Sequence, residues 1–273
     1  MVTWKQPLEE YQWLIYQVWY LEVEEGDALS HQPLLIPNPR CHLVISPPDQ
    51  TYHYSGSAME SLGSGSHLLT VIDQPLKLGD SAPLKRLGIT FQPGALYRLY
   101  SDASTALNRC GWFPWLESLL PSPSHEMLLS LQSSDQVLPV LRQHLDGLVL
   151  NQQADGYLEL TTRVLSILEQ HEGLTSEELA QQCHCSKRTL ERGFKRVTGL
   201  TLKQYQVMLR LERLVLKLYA LGEDELEWAD LAQEYGFTDQ PHLIRHLRQL
   251  LGKTPGSYLK ARDLTIDIYG DFD

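Results

Sequence analysis

The chain has 273 residues, enough for two domains at roughly 100–200 residues each. Its 42% hydrophobic and 21% charged residues are those of a globular chain that can bury a core, and no run approaches the roughly 20 apolar residues of a membrane span. A net charge of −11 would exclude nucleic acid as a partner only if it were evenly spread, and it is not.

Residues 1–150 carry 8 Lys/Arg against 15 Asp/Glu, whereas residues 174–262 carry 14 against 11 and form the one net-positive region. The cysteines, Cys41, Cys110, Cys183 and Cys185, are few and irregularly spaced, as expected of reduced thiols in a cytoplasmic protein. The opening MVTWKQPLEE has no basic start followed by an apolar stretch, so export is not expected.

In chain order, the first half is β-rich. The runs at 13–23, 41–46, 67–72 and 86–94 are short and rich in β-branched and aromatic residues, and Pro/Gly/Ser clusters separate them. This spacing predicts a compact barrel or sandwich, so the fold class is α+β with a β-rich N-terminal domain over 1–122. PSPS at 121–124 marks a boundary, and the period then becomes helical over 134–150 and 157–173. Residues 123–155 are assigned to a helical linker, 156–262 to a helical domain and 263–273 to an acidic tail. The helix at 134–150 has two roles open to it, a dimer surface or packing on its own sheet.

The C-terminal domain contains an internal repeat. Residues 186–205 align without gaps on 239–258, pairing Leu190 with Leu243, Arg192 with Arg245, Phe194 with Leu247, Lys195 with Arg248 and Gly199 with Gly252. Upstream, Glu178-Leu179-Ala180 aligns with Asp230-Leu231-Ala232 at an offset one residue smaller, so the second turn is one residue longer. Each unit reads as a short helix, a turn, a second helix capped by Ser186 or Asp239, and a Gly stop. Leu190, Phe194 and Val197 form the buried stripe of one helix, and Leu243, Leu247 and Leu250 that of the other. The first helix is left with Lys187, Arg188, Glu191, Arg192, Lys195 and Arg196 facing outward, a footprint for phosphates and base edges. The run 202–222 between the units predicts a helix of about 30 Å at 1.5 Å per residue, close to the roughly 34 Å between successive major-groove faces.

These residues resemble a known family. The region 174–260, above all LAQQCHCSKRTLERGFKRVTG and LAQEYGFTDQPHLIRHLRQLLGKTPGSY, is similar to the DNA-binding domain of AraC/XylS-type transcription regulators. The N-terminal half more weakly resembles the cupin-like β-rich domain found ahead of it in one branch of that family. The resemblance implies base contacts from Arg188, Glu191 and Arg192 in the first unit and from Gln240, His242 and Arg245 in the second. It implies phosphate contacts from Lys187, Lys195, Arg196 and Arg248. Double-stranded promoter DNA is the expected partner, with a small-molecule effector, RNA polymerase and a second copy of the chain as further candidates, and no membrane. Gly193 departs from the family pattern and weakens its helix by about 1 kcal/mol relative to Ala. Pro241 offers DNA no donor, and the acidic run 223–230 opposes phosphate, so the first unit is expected to dominate.

Other chemistry weighs less. Cys183-His184-Cys185 has no second ligand pair at zinc spacing, and His31, His42, His53 and His67 are scattered. No metal, cofactor or catalytic residue is assigned. The rival readings are a cupin-like metal-dependent enzyme with an accessory DNA-binding module, and a protein-interaction module on a degenerate helix-turn-helix. Trp4, Trp13, Trp19, Tyr52, Tyr54, Tyr97 and Tyr100 could line an effector pocket or form ordinary core.

Overall fold

The computed structural model describes residues 2–26, 34–100, 107–148, 156–171, 173–220, 228–251 and 254. The N-terminal half is a sandwich of two antiparallel sheets. Strands β1 (Val2–Gln6), β2 (Ile15–Val23), β4 (His42–Ile45), β7 (His67–Leu69), β9 (Leu84–Phe91) and β10 (Cys110–Gly111) form one sheet in the order β1-β2-β9-β4-β7-β10. Strands β3 (Leu34–Leu35), β5 (Thr51–Gly56), β6 (Glu60–Ser64) and β8 (Leu76–Leu78) form the other, in the order β3-β8-β5-β6.

The larger sheet is apolar on both faces, and the period of two along its strands divides its side chains between two cores. From β2, Trp19, Leu21 and Val23 face the smaller sheet, joined by Val44, Tyr52, Tyr54, Leu69, Leu76 and Leu78. The alternate residues Val18 and Tyr20, with Leu43, Ile45, Leu87, Ile89 and Phe91, face the other way. Helices cover that second face. They include α1 (Ala95–Leu99), α2 (Leu116–Leu119), α3 (Pro123–Ser130) and α4 (Ser134–Asp146). Leu128 and Leu129 of α3, and Val137, Leu141 and Leu145 of α4, join this core. The apolar face of α4 is therefore seated on its own sheet, and its flanks are tied down by Arg142 to Glu10 at 3.2 Å and Trp4 Nε1 to the Gln132 carbonyl at 2.7 Å. Of the two roles open to this helix, the structure shows the packing one. The helix ends at Asp146, short of the 134–150 run, and 149–150 lie outside the described residues.

Several polar groups inside the sandwich are paired, which offsets the cost of their burial. Arg86 and Asp80, 0% and 1% exposed, form a two-point ion pair at 2.7 and 2.6 Å. His67 Nδ1 is 2.8 Å from the Gly65 carbonyl, so its Nε2 accepts from the Tyr54 hydroxyl at 2.7 Å and the ring is neutral. Trp19 Nε1 donates to Thr90 Oγ1 at 3.2 Å, and His42 Nδ1 lies 3.1 Å from the same atom. Trp19 stands opposite Gly88 in the ladder, and a Cβ at residue 88 would come 1.9 Å from its indole, so only glycine admits the ring.

The aromatic residues do not converge on one cavity. Trp19, Tyr52 and Tyr54 are sandwich core, and Trp4 stacks on Tyr20 at 5.9 Å. Trp13 lies under Arg98, and Tyr100 stacks on Trp115 at the surface. Of the two readings open to this set, the contacts among the described residues are those of core and surface packing.

Two outcomes are expected. Gly88→Ala forces the Trp19 indole out of place and should lower stability by about 3 kcal/mol in denaturant melts, the upper end of overpacking costs. Burial pushes His42 and His67 down to about 3, while the unfolded chain protonates them near 6.5. The unfolded state then binds more protons than the folded one, so stability rises with pH. It should fall as pH drops below about 6.5, by about 1.4 kcal/mol per pH unit for each histidine. Melts at pH 7, 6 and 5 check the slope, and His67→Gln should remove about half of it.

Candidate nucleic-acid interface

Six helices follow: α5 (Gly156–Gln170), α6 (Ser176–Gln182), α7 (Lys187–Thr198), α8 (Leu202–Ala220), α9 (Trp228–Glu234) and α10 (Gln240–Leu251). The repeat is visible in their lengths. Helices α6 and α9 each have 7 residues, and α7 and α10 each have 12. Four residues, 183–186, separate α6 from α7, and five, 235–239, separate α9 from α10, so the second turn is one residue longer. Each turn has one residue in the left-handed region at equivalent places, His184 (φ 53°) and Gly236 (φ 72°).

The caps form as the sequence implies. Ser186 Oγ accepts from the Thr189 amide at 3.1 Å, and Asp239 Oδ1 accepts from the His242 amide at 2.7 Å. Gly199 turns left-handed and stops α7. Leu190, Phe194 and Val197 are buried at 0–1%, as are Leu243 and Leu247 at 0%; the Leu250 side chain lies outside the described residues, as do Gly252 and the acidic run from 223 to 227. Cys183 and Cys185 lie in the first turn and pack against the same core, which is a structural use for both thiols. Helix α8 spans 19 residues, about 28 Å at the helical rise.

The polar face of α7 is exposed at Lys187, Arg188, Glu191, Arg192, Lys195 and Arg196. Four of these residues, Arg188, Glu191, Arg192 and Lys195, line one groove of about 510 Å³. Four residues that sequence reasoning did not place there, Ser176, Thr201, Leu202 and Lys203, complete it. The signal for Lys203 was present: Thr201 and Gln204 cap α8 reciprocally, with the Gln204 amide donating to Thr201 Oγ1 at 3.2 Å and the Thr201 amide to Gln204 Oε1 at 3.0 Å. That places Lys203 on the first turn of α8, beside the basic helix. Lys187 is not among the groove's lining residues; its Nζ is 2.6 Å from Glu177 Oε1 and 4.0 Å from Glu191 Oε1. In the second unit Gln240, His242, Arg245 and Arg248 are all exposed along α10, and the Phe237 ring meets His242 edge-on at 5.4 Å.

The two halves of the chain are joined by packing and by polar contacts. The core that underlies the helices of the N-terminal half continues through Leu179, Leu190, Phe194, Leu202, Tyr205 and Met208. Ile36, 1% exposed, belongs to the core of the second unit, with Leu211, Leu214, Leu231, Leu243 and Leu247. Beside it Arg40 Nη1 donates to both carboxylate oxygens of Glu212 at 2.9 and 3.0 Å, with the Tyr16 ring 3.9 Å from the guanidinium. At the other end of the contact, Arg196 Nε donates to the Tyr97 hydroxyl at 3.0 Å, and Gln204 Nε2 donates to Asp73 Oδ2 at 3.4 Å.

A family model described as a helix-turn-helix domain matches residues 179–261. A curated relative, the "Probable transcription factor PqrA" of Proteus vulgaris, is 31% identical over 91 residues, covering 33% of this chain and 72% of that protein. Among solved structures, ToxT from Vibrio cholerae covers 95% of this chain and 98% of its own at 9% identity and a TM-score of 0.47. The AraC-like transcriptional activator CuxR covers 72% and 76% at 13% identity and a TM-score of 0.28.

The Arg40–Glu212 pair, with side chains only 9% and 12% exposed, makes a stability test. Glu212→Gln leaves a buried guanidinium without its counter-charge and should cost about 3–5 kcal/mol in a thermal or denaturant melt. Replacing both partners by apolar residues of similar volume should restore most of that loss.

Proposed function

The chain belongs to the AraC-type helix-turn-helix transcription regulators, and on that premise we propose that α7 and α10 read two adjacent major-groove segments of a promoter. The observation that carries this reading is the duplication itself: two equally long, capped helices in one register, each with an exposed polar face, held apart by one helix of about 28 Å. That spacing suits successive turns of one face of B-DNA.

In this reading Arg188, Glu191 and Arg192 meet base edges from the first unit, where arginine takes guanine and glutamate accepts from cytosine. Gln240, His242 and Arg245 do so from the second. Lys195, Arg196 and Arg248 hold phosphates, and Lys203 joins them because it lines the same groove. Lys187, paired with Glu177, is a weaker phosphate contact than its charge implies. The first unit supplies most of the binding, since its helix carries five cations against one acid while Pro241 opens the other.

The N-terminal domain (1–122) is proposed to act as an effector-responsive half. The contacts that support this are the Tyr97 hydrogen bond to Arg196 and the Arg40–Glu212 pair, which touch α7 of the first unit and the helix that joins the two units. An effector shifts such an arrangement only by binding one docking state better than the other. RNA polymerase and a second copy of the chain remain the other proposed partners.

The test is selection of bound fragments from genomic DNA by the full chain, followed by footprinting at two salt concentrations. Two protected patches about one helical turn, ~34 Å, apart are expected, with binding that weakens steeply as salt rises. Arg192→Ala and Arg245→Ala should each weaken binding by about 1–3 kcal/mol and relax the preference at one base pair. Lys195→Ala should weaken all sequences alike and lower the salt slope by about 1. A protein that enriches no sequence over competitor DNA would refute the reading.

A further inference from the structure

We infer that Tyr157, on a different helix from the groove residues, is a positioning residue that fixes Arg192 for base reading, and that Gly193 exists to admit it. The inference rests on the proposed reading of α7. Tyr157 is the second residue of α5, which packs along α7. Its ring occupies the space that a side chain at residue 193 would fill: a Cβ there would come 2.6 Å from Cδ1 and 3.3 Å from Cγ of the tyrosine. Gly193 is the one glycine inside α7, and glycine is a poorer helix former there than any side chain but proline. The structure supplies the physical reason, since the ring lies against the bare backbone of the recognition helix.

From that position Tyr157 engages the arginines on either side of the glycine's turn. Its hydroxyl accepts a hydrogen bond from Arg192 Nη2. The guanidinium carbons of Arg192 and Arg196 lie 5.3 and 5.7 Å from the ring centroid. Both are within the roughly 6 Å over which a cation is attracted to an aromatic ring. Arg196 is held in addition by Tyr97 from the N-terminal half, so Arg192 is the member of the pair whose orientation rests on Tyr157.

A guanidinium has five N–H donors in a rigid fork, and the phenol takes one of them. The donors that remain can make a bidentate contact to guanine O6 and N7. A long side chain that is already oriented loses less rotamer freedom on binding than a free one, so the anchored arginine discriminates more sharply for the same contact. The effect is confined to one base pair, because a positioning residue adds no charge and touches no phosphate.

The experiment uses the full chain and a DNA fragment selected by it, with dissociation constants measured by fluorescence anisotropy. The base pair read by Arg192 is the one whose substitution affects the parent protein but not Arg192→Ala. Tyr157→Phe keeps the ring and removes the acceptor. It should weaken binding to the selected fragment by about two- to tenfold, the cost of ordering on the DNA an arginine that is no longer pre-oriented. Binding to the fragment substituted at that base pair, and the salt slope, should be unchanged. Gly193→Ala, whose methyl displaces the ring, should match Tyr157→Ala, and the double variant should be no worse than either. The double variant also secures the comparison if Gly193→Ala folds poorly, because it restores the room for the methyl.

Equal weakening on both fragments would mean that Tyr157 is merely structural, and tighter binding by Tyr157→Phe would mean that it masks Arg192. Independent effects of the two substitutions would separate the ring from the glycine. Each of these results overturns the inference. If Arg192→Ala itself binds as the parent does, the reading of α7 fails. If Arg192→Ala is impaired and Tyr157→Phe is silent, only the positioning role fails.

Discussion

A sheet that is apolar on both faces has to be covered twice, and most of this architecture follows from that demand. Strand β2 sends Trp19, Leu21 and Val23 to one side and Val18 and Tyr20 to the other. The first side is closed by a second sheet and the second by helices. The covering helices do not stop at the N-terminal half. The same buried network runs on through Leu179, Leu190 and Phe194, so α7 joins, through its own buried stripe, the core that lies under the larger sheet. Its polar face is directed outward for the same reason that its apolar face is directed in.

The duplicated unit shows how one packing solution serves two settings. Both copies bury a short helix against a longer one through a Leu-Ala pair and a Leu/Phe stripe, and both cap the longer helix with a short oxygen-bearing side chain. They differ at the turn. Gly236 takes a left-handed conformation without steric cost, while His184 takes it with a side chain attached, and the second turn has Phe237 where the first has Cys185, its ring lying against His242 and His246. The first unit is thus packed from outside, by α5 and the N-terminal half, and the second more from within.

Much of this was legible in the sequence because it is periodic. The repeat, the unequal turns, the caps and the outward arginines all follow from residues at fixed offsets along one segment. What the sequence could not show are contacts between segments with no common period. Tyr157 is an unremarked residue at the start of a helix until its ring is seen against Gly193, and Gly193 alone reads as a defect. The Thr201/Gln204 cap places Lys203 on the first turn of the next helix, but it takes the fold to bring that turn to the groove. The seven aromatic residues suited a pocket or a core equally in composition, and their partners, Tyr20 for Trp4 and Trp115 for Tyr100, place these two at separate packing sites. The apolar stripe of α4 could serve a dimer or its own sheet equally well, and only the position of the sheet decides between them.

Ile36 sits among Leu211, Leu231, Leu243 and Leu247, so the hydrophobic core of the second unit is completed by a residue some two hundred positions earlier in the chain. A fragment cut at the start of α5 would retain every groove residue and still lack this one. Such a fragment is a different object from the same helices in the whole chain, with an apolar gap where the parent has a side chain. A larger or smaller side chain at residue 36 would have to be matched by the helices that receive it, so the packing of the β-rich half and that of the second unit are one problem.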